Sequence, residues 1–227
     1  MSKLTDRADS RRRFLLMTGL AALGGALGVG GVRAADDKMD MNGMDHEHMH
    51  HHDHHDHAAQ VPAGVKRSEA TYNVPAVNLV RQDGTKVAFP KEIDDGRPVL
   101  LNFVYTSCTA ICPVTSQVFS QIQEKLGKDA AKVHMVSVSI DPEYDTPARL
   151  VEYAKKYKAG PAWQHYTGTV EASVTMQKAF DAYRGDKMNH VPVTYLRVAP
   201  GKPWVRLDGF ASPDEVIREY HKLSGNA

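Results

Sequence analysis

The strongest apolar pattern in the chain lies at residues 98–105, PVLLNFVY. A nearly continuous run of that length reads as a central strand covered on both faces. Residues 132–140, KVHMVSVSI, read as a second buried strand. Between them the apolar period changes. Val114, Val118, Ile122 and Leu126 recur at four-residue spacing and predict a helix over Pro113 to Gly127, with Pro113 suited to its first turn. Upstream, residues 72–89 (YNVPAVNLVRQDGTKVAF) hold two short strand-like runs around Asp83-Gly84, a dipeptide that favours a hairpin turn.

Helical spacing returns after Thr146-Pro147, with Leu150, Ala154 and Tyr157 on one face, and Pro161 breaks the chain beyond it. A third helix is expected over residues 169–183. Thr169 is its cap, and Val170, Val174, Gln177 and Phe180 lie near one face, with Gln177 as the polar interruption. Residues 193–198 (VTYLRV) and 203–207 (PWVRL) read as strands joined around Pro200-Gly201. The last helix runs from Ser212 to about Leu223, with Ser212 as cap, Pro213 in the first turn and Glu215 at the capping-box position. This order predicts an α/β fold: a thioredoxin-like central sheet with helices on both faces and an added N-terminal β-hairpin.

The N-terminal third follows a different logic. Arg11, Arg12 and Arg13 form a basic head, Phe14 to Val32 is apolar and rich in Gly and Ala, and Val32-Arg33-Ala34 offers small residues at cleavage spacing. The segment SRRRFLL resembles the twin-arginine export signal. Residues 1–34 are therefore read as a signal, and cleavage after Ala34 leaves 193 of the 227 residues. The alternative is a retained inner-membrane anchor, since Phe14 to Val32 spans 19 residues. Either way the working part is expected in the periplasm, where a disulfide is permitted; membrane contact follows only if the segment is retained.

Residues 35–60 form a leader and 61–227 the folded domain. Within the leader, residues 38–57 (KMDMNGMDHEHMHHHDHHDH) hold His46, His48, His50, His51, His52, His54, His55 and His57 together with Met39, Met41, Met44 and Met49. The tract offers no aliphatic residue to bury and no reason to fold alone. Imidazoles suit Cu(II), Zn(II) and Ni(II), and thioethers select Cu(I), so the mixture fits an accessory metal-collecting tract. Charge divides the chain in the same place. Residues 1–34 carry six Arg/Lys against two Asp, residues 35–59 one Lys against seven Asp/Glu, and the domain is close to balance. Without a basic stripe or interleaved aromatics, the domain gives no sign of a nucleic-acid partner.

The candidate chemistry is concentrated at residues 105–114, YTSCTAICPV, which hold the only two cysteines, Cys108 and Cys112. They follow a core strand and open a helix, where backbone N–H groups stabilise a thiolate for redox chemistry or metal binding. Residues at i and i+4 on a helix have Cβ atoms about 5–6 Å apart, whereas a disulfide wants about 3.8 Å. The spacing favours a metal between the sulfurs and leaves a reversible disulfide open. Two thiolates leave any metal other than linear Cu(I) short of ligands. Four histidines lie in the domain: His134, His165, His190 and His221. His190 has the best position, in the polar stretch GDKMNHVPVTY directly before a core strand.

Three segments, LLNFVYTSCTAICP at 100–113, VSVSIDPEYDTP at 136–147 and MNHVPVTYLRVAPGKPW at 188–204, resemble the Sco/SenC family of copper-binding, thioredoxin-like proteins. The resemblance spans nearly all of residues 72–223. It implies a copper site, Cu(I) or Cu(II), made of Cys108, Cys112 and His190. Asp141 matches the family's Ser-Ile-Asp-Pro segment, either supporting the site through hydrogen bonds or forming a turn with Pro142. Thr109 stands where many members have Pro, and Asn189 where an Asp often precedes the histidine, which bears on loop rigidity and histidine orientation. The implied role is a copper chaperone for the CuA centre of a respiratory oxidase, so the implied partner is that copper-site subunit or another periplasmic copper protein. The implied alternative is a thiol–disulfide oxidoreductase acting on a target's cysteines, with Cys108 and Cys112 as its catalytic pair. Enzyme turnover is left open.

Overall fold

The computed structural model describes residues 64–225. The signal read over 1–34 and the metal-collecting leader over 35–60 lie outside these residues. The described strands are β1 (Lys66–Ala70), β2 (Asn78–Arg81), β3 (Lys86–Ala88), β4 (Val99–Val104), β5 (His134–Ser139), β6 (Trp163–Thr167), β7 (Val193–Arg197) and β8 (Trp204–Asp208). They form one sheet in the order β1-β8-β7-β4-β5-β6-β2-β3. β4, β5 and β6 run parallel, and every pairing outside that trio is antiparallel. The helices are α1 (Phe89–Ile93), α2 (Ile111–Leu126), α3 (Pro147–Lys156), α4 (Val170–Ala179) and α5 (Pro213–Ser224).

Every residue of β4, β5 and β7 is buried, as the continuous apolar runs require. Alternate side chains feed two cores. On one face Leu101, Phe103, Val136 and Val138 meet Phe89 and Ile93 of α1 and Ala172 and Met176 of α4. On the other, Leu100, Met135, Trp163 and Val205 meet Phe119 and Ile122 of α2, Tyr153 of α3 and Val216 of α5. Helices thus cover both faces, as the order of elements predicts, and the hairpin β2–β3 extends the β6 side of the sheet. Its turn uses Gly84 at φ +85°, a left-handed conformation open to glycine. The expected caps are present: Thr146 accepts from the Arg149 N–H, Thr169 from the Ala172 N–H, and Ser212 and Glu215 close a reciprocal capping box.

Four expectations are corrected. Residues 163–167, which follow the break at Pro161 and hold the loop-to-strand stretch expected around His165, form a full buried parallel strand, β6, that the order of elements lacked. β1, a charged edge strand, was not anticipated. In α2 the buried face is Cys112, Thr115, Ser116, Phe119 and Ile122, while Val114 is 45% exposed. A strict four-residue repeat drifts around a helix of 3.6 residues per turn, so Val114 to Leu126 cannot share one face. In α4 Val170 is likewise exposed, and the helix stops at Ala179. There Arg206 Nη1 donates to the carbonyls of Phe180 at 3.1 Å and Asp181 at 3.0 Å, closing the helix end.

The missed strand carries a polar row across the core. Asn102, Ser137 and His165 lie in register on β4, β5 and β6. Ser137 Oγ donates to Asn102 Oδ1 at 2.7 Å and accepts from Trp163 Nε1 at 2.9 Å. His165 is fully buried beside Trp163 and Tyr153, and burial pushes its imidazole down to about 3. The unfolded chain therefore binds a proton here that the folded chain refuses between pH 6.5 and about 3. The stability this residue supplies is complete above pH 6.5 and is lost as pH falls. We expect His165 to add a slope approaching 1.4 kcal/mol per pH unit to the unfolding free energy in that window, as an order-of-magnitude figure of about one proton. Denaturant unfolding at pH 7.5 and 5, compared with His165→Gln, measures it; equal pH sensitivity in the two proteins would refute the assignment.

Candidate metal centre

Three segments converge at the end of β4. The strand delivers Tyr105, after which the chain turns, with the Cys108 N–H on the Tyr105 carbonyl at 3.2 Å. Cys108 therefore sits in the turn before α2, not on the helix, and only Cys112 lies in the first helical turn. The Cys112 N–H points at Cys108 Sγ at 3.4 Å, and the Tyr105 N–H points at Cys112 Sγ at 3.4 Å. Each sulfur thus receives a backbone donor. The two cysteines are free thiols.

His190 arrives from the opposite direction. β7 pairs antiparallel with β4, so the start of β7 meets the end of β4. A short 3-10 turn, Lys187–Asn189, precedes it, capped by Asp186, which accepts the Met188 N–H at 2.8 Å. His190 Nδ1 lies 2.8 Å from the Lys187 carbonyl, which can only accept, so Nδ1 carries the proton. Nε2 is left as a lone-pair donor 3.3 Å from Cys112 Sγ and 4.0 Å from Cys108 Sγ. The two sulfurs and Nε2 all lie within 4.8 Å of one another, and all three residues are buried. Among the described residues this is the one cluster of three or more His, Cys, Asp or Glu groups with that geometry.

The thiols do not titrate alike. The side-chain hydrogen bond from Cys112, opposed by burial and reinforced by the backbone N–H groups of Cys112 and Ala110 and by Tyr105, holds Cys108 down at about 4. The same bond to Cys108, together with burial, pushes Cys112 above the ordinary thiol range. The two sulfurs titrate as a coupled pair, in which the hydrogen bonds around Cys108 favour the charge on that sulfur.

The other three histidines among the described residues lie outside this cluster. His134 and His165 are strand residues of the sheet interior, and His221 is in α5. Asp141 does not touch the three ligand atoms. Its carboxylate accepts from Lys187 Nζ at 2.5 Å, and its carbonyl accepts the N–H groups of Tyr144 and Asp145. It both forms the turn and ties down the segment carrying His190. Asp145, four residues on in the same segment, is the acid that holds the cysteine loop. It is fully buried and accepts from the Thr106 N–H, Thr106 Oγ1 at 2.5 Å and Ser139 Oγ at 2.6 Å. Sequence reasoning did not single out Asp145, Tyr105, Lys187 or Met188. Position near His190 was the available signal for the last two.

A thioredoxin-like domain with a buried site of two sulfurs and one imidazole nitrogen defines a narrow class. The family model described as SCO1/SenC matches residues 66–225, and the chain belongs to that family. A SCO1 protein homolog of Bacillus subtilis is 31% identical over 104 residues, covering 45% of this chain and 53% of that protein. The chain thus matches about half the length of this relative. The copper-bound structure of Bradyrhizobium japonicum ScoI is similar at 25% identity and a TM-score of 0.57, covering 68% of this chain and 99% of that one. BsSco, described as a member of the Sco family of cytochrome c oxidase assembly proteins with a disulfide switch, is similar at 25% identity and a TM-score of 0.58, covering 70% of this chain and 98% of that one.

The asymmetric thiols yield a direct expectation. In the reduced, metal-free protein Cys108 should be alkylated first, at a rate nearly flat from pH 8 to 5, while Cys112 stays unmodified. An unperturbed thiol loses reactivity about tenfold per pH unit below its pKa. Peptide mass spectrometry after timed iodoacetamide quenches measures both rates. Preferential labelling of Cys112, or a tenfold fall per pH unit at Cys108, would contradict the charge assignment.

Proposed function

We propose that this protein is a periplasmic copper carrier that takes Cu(I), and also Cu(II), on Cys108, Cys112 and His190 and delivers it to the CuA centre of a respiratory oxidase. One observation carries the reading: two sulfurs and an Nε2 whose lone pair is already turned inward converge within 4.8 Å on three buried residues. Two soft sulfurs select Cu(I), and the borderline imidazole extends the set toward Cu(II). Copper-bound and oxidase-assembly relatives of the same fold support the cargo and the destination. The twin-arginine-type signal supports export. No described helix is long and apolar enough to cross a membrane.

Replacing either cysteine with Ser should abolish tight Cu(I) binding, and His190→Ala should weaken it while harming Cu(II) most. X-ray absorption at one equivalent of copper, on a chain whose leader His and Met are changed to Gly and Ser, reports the ligands. A first shell without sulfur would sink the proposal.

A second reading, thiol–disulfide exchange with a periplasmic target, draws on the same depressed Cys108 thiol and on the two cysteines being free. Cys108 would attack the target disulfide and Cys112 would resolve the mixed disulfide, leaving the target reduced and this pair oxidised. That reading needs no His190. Full oxidase assembly by His190→Ala at limiting copper would select exchange over delivery.

Residues 38–57 are proposed as a separate, weaker copper store that feeds the domain by raising local concentration. A Gly/Ser linker of equal length should leave the final occupancy of the Cys108, Cys112 and His190 site unchanged and slow its loading at sub-stoichiometric copper. Stopped-flow loading of the two proteins decides; identical kinetics would make the tract a spacer.

A further inference from the structure

The three ligand residues are nearly closed off from solvent. Cys112 is 0% exposed, and Cys108 and His190 are each 8% exposed. A donor that holds copper through its own ligands cannot place the ion among them without an outer handhold. Such a group stands at the rim. Met188 lies on the 3-10 turn that carries His190 and is 71% exposed, whereas Met135 and Met176, in the two cores, are 0% exposed. Burial gives this side chain no reason to be methionine.

Its sulfur is nevertheless not directed at random. Met188 Sδ accepts from the Tyr105 hydroxyl at 3.4 Å. Tyr105 is itself buried, and its ring stands edge-on 5.1 Å from the His190 ring. The hydroxyl therefore ties an exposed thioether to a ring that packs on His190. The turn is fixed from below: Lys187 is anchored on Asp141, and the Lys187 carbonyl holds His190.

We propose that Met188 is the receiving ligand for Cu(I), which it takes from the donor and passes inward to Cys108 and Cys112. The inference deepens the copper-carrier reading and rests on it. A thioether is soft, neutral and needs no deprotonation, so it accepts Cu(I) and rejects harder ions. In the first exchange a bond from Cu(I) to Met188 Sδ forms as a bond to the donor's ligand breaks. In the second a bond to the Cys108 thiolate forms as the thioether leaves. Cys112 then joins, and its proton passes to water. Copper stays Cu(I) throughout, and no electron moves.

The test uses the full-length reduced protein, without oxygen, with Cu(I) supplied as its bicinchoninate complex. Loss of the chelator colour and growth of the near-ultraviolet thiolate-to-copper absorption report transfer. Met188→Leu keeps bulk and apolarity at an exposed position and removes only the sulfur. It should slow transfer about tenfold, equivalent to about 1.4 kcal/mol of barrier, while the final absorption and Cu(I) affinity stay as in the parent. Zn(II) loading, which thioethers do not assist, should be unchanged. An unaltered Cu(I) rate would overturn the assignment, and so would equal slowing of Zn(II), which would mark a disturbed turn. Failure of the underlying reading looks different: the parent protein would show no thiolate-to-copper absorption at all.

Discussion

The site depends on one buried carboxylate. Asp145 is fully enclosed, and burial alone raises its pKa, which hydrogen bonds from Ser139 and Thr106 counter. Those donors come from different elements: Ser139 ends β5 and Thr106 follows β4. Leaving a buried acceptor without even one partner costs about 1–3 kcal/mol. The carboxylate therefore keeps its donors, and in doing so clasps the two loops at the ends of adjacent parallel strands. Ser139 Oγ also accepts the Asp141 N–H, so the segment that pairs with Lys187 hangs from the same clasp. Movement of Asp145 would loosen the cysteine loop and the histidine turn together.

Topology supplies the rest of the convergence. Parallel strands place their C-terminal ends at one edge of a sheet, where ligand sites of α/β proteins gather. A cysteine loop after β4 and an acidic loop after β5 meet there without special design. His190, 78 residues beyond Cys112, needs the antiparallel pairing of β7 with β4 to reach the cysteines. That pairing turns a position just before β7 into a neighbour of positions just after β4. His190 is distant in sequence and adjacent in space because β7 runs opposite to β4.

Legibility in the sequence followed the strength of local constraint. β4, β5, β7 and β8 were readable because buried strands must be apolar, and α3, α4 and α5 because Thr146, Thr169 and Ser212 announce their starts. β6 escaped because Gln164 and His165 interrupt its apolar character, and its polar groups are answered by Gln82, which lies far away in sequence. β1 escaped because an edge strand needs few apolar residues. The cysteines and His190 could be singled out by chemistry and position. Asp145 could not be separated from Asp141, because both stand in one acidic loop and only the fold decides which faces Thr106. The rotated face of α2 has the same origin: the need to turn Cys112 inward sets the helix phase, and Val114 is left outside.

Carrier and exchange chemistry both draw on an anion-stabilising helix start, so a stabilised Cys108 thiolate does not separate them. The imidazole does. A resolving cysteine must reach the sulfur of a mixed disulfide, which asks for freedom around Cys112. Here Cys112 is fully buried, receives the Tyr105 N–H, and faces a nitrogen lone pair at 3.3 Å. The Lys187 carbonyl fixes the tautomer that turns this lone pair inward, and the Lys187 side chain is itself held by Asp141. This order is expended on aiming a neutral donor at two sulfurs, an arrangement that lowers the cost of organising a metal site before the ion arrives. In the proposed carrier role this geometry receives the ion, and the same two sulfurs remain available to disulfide chemistry.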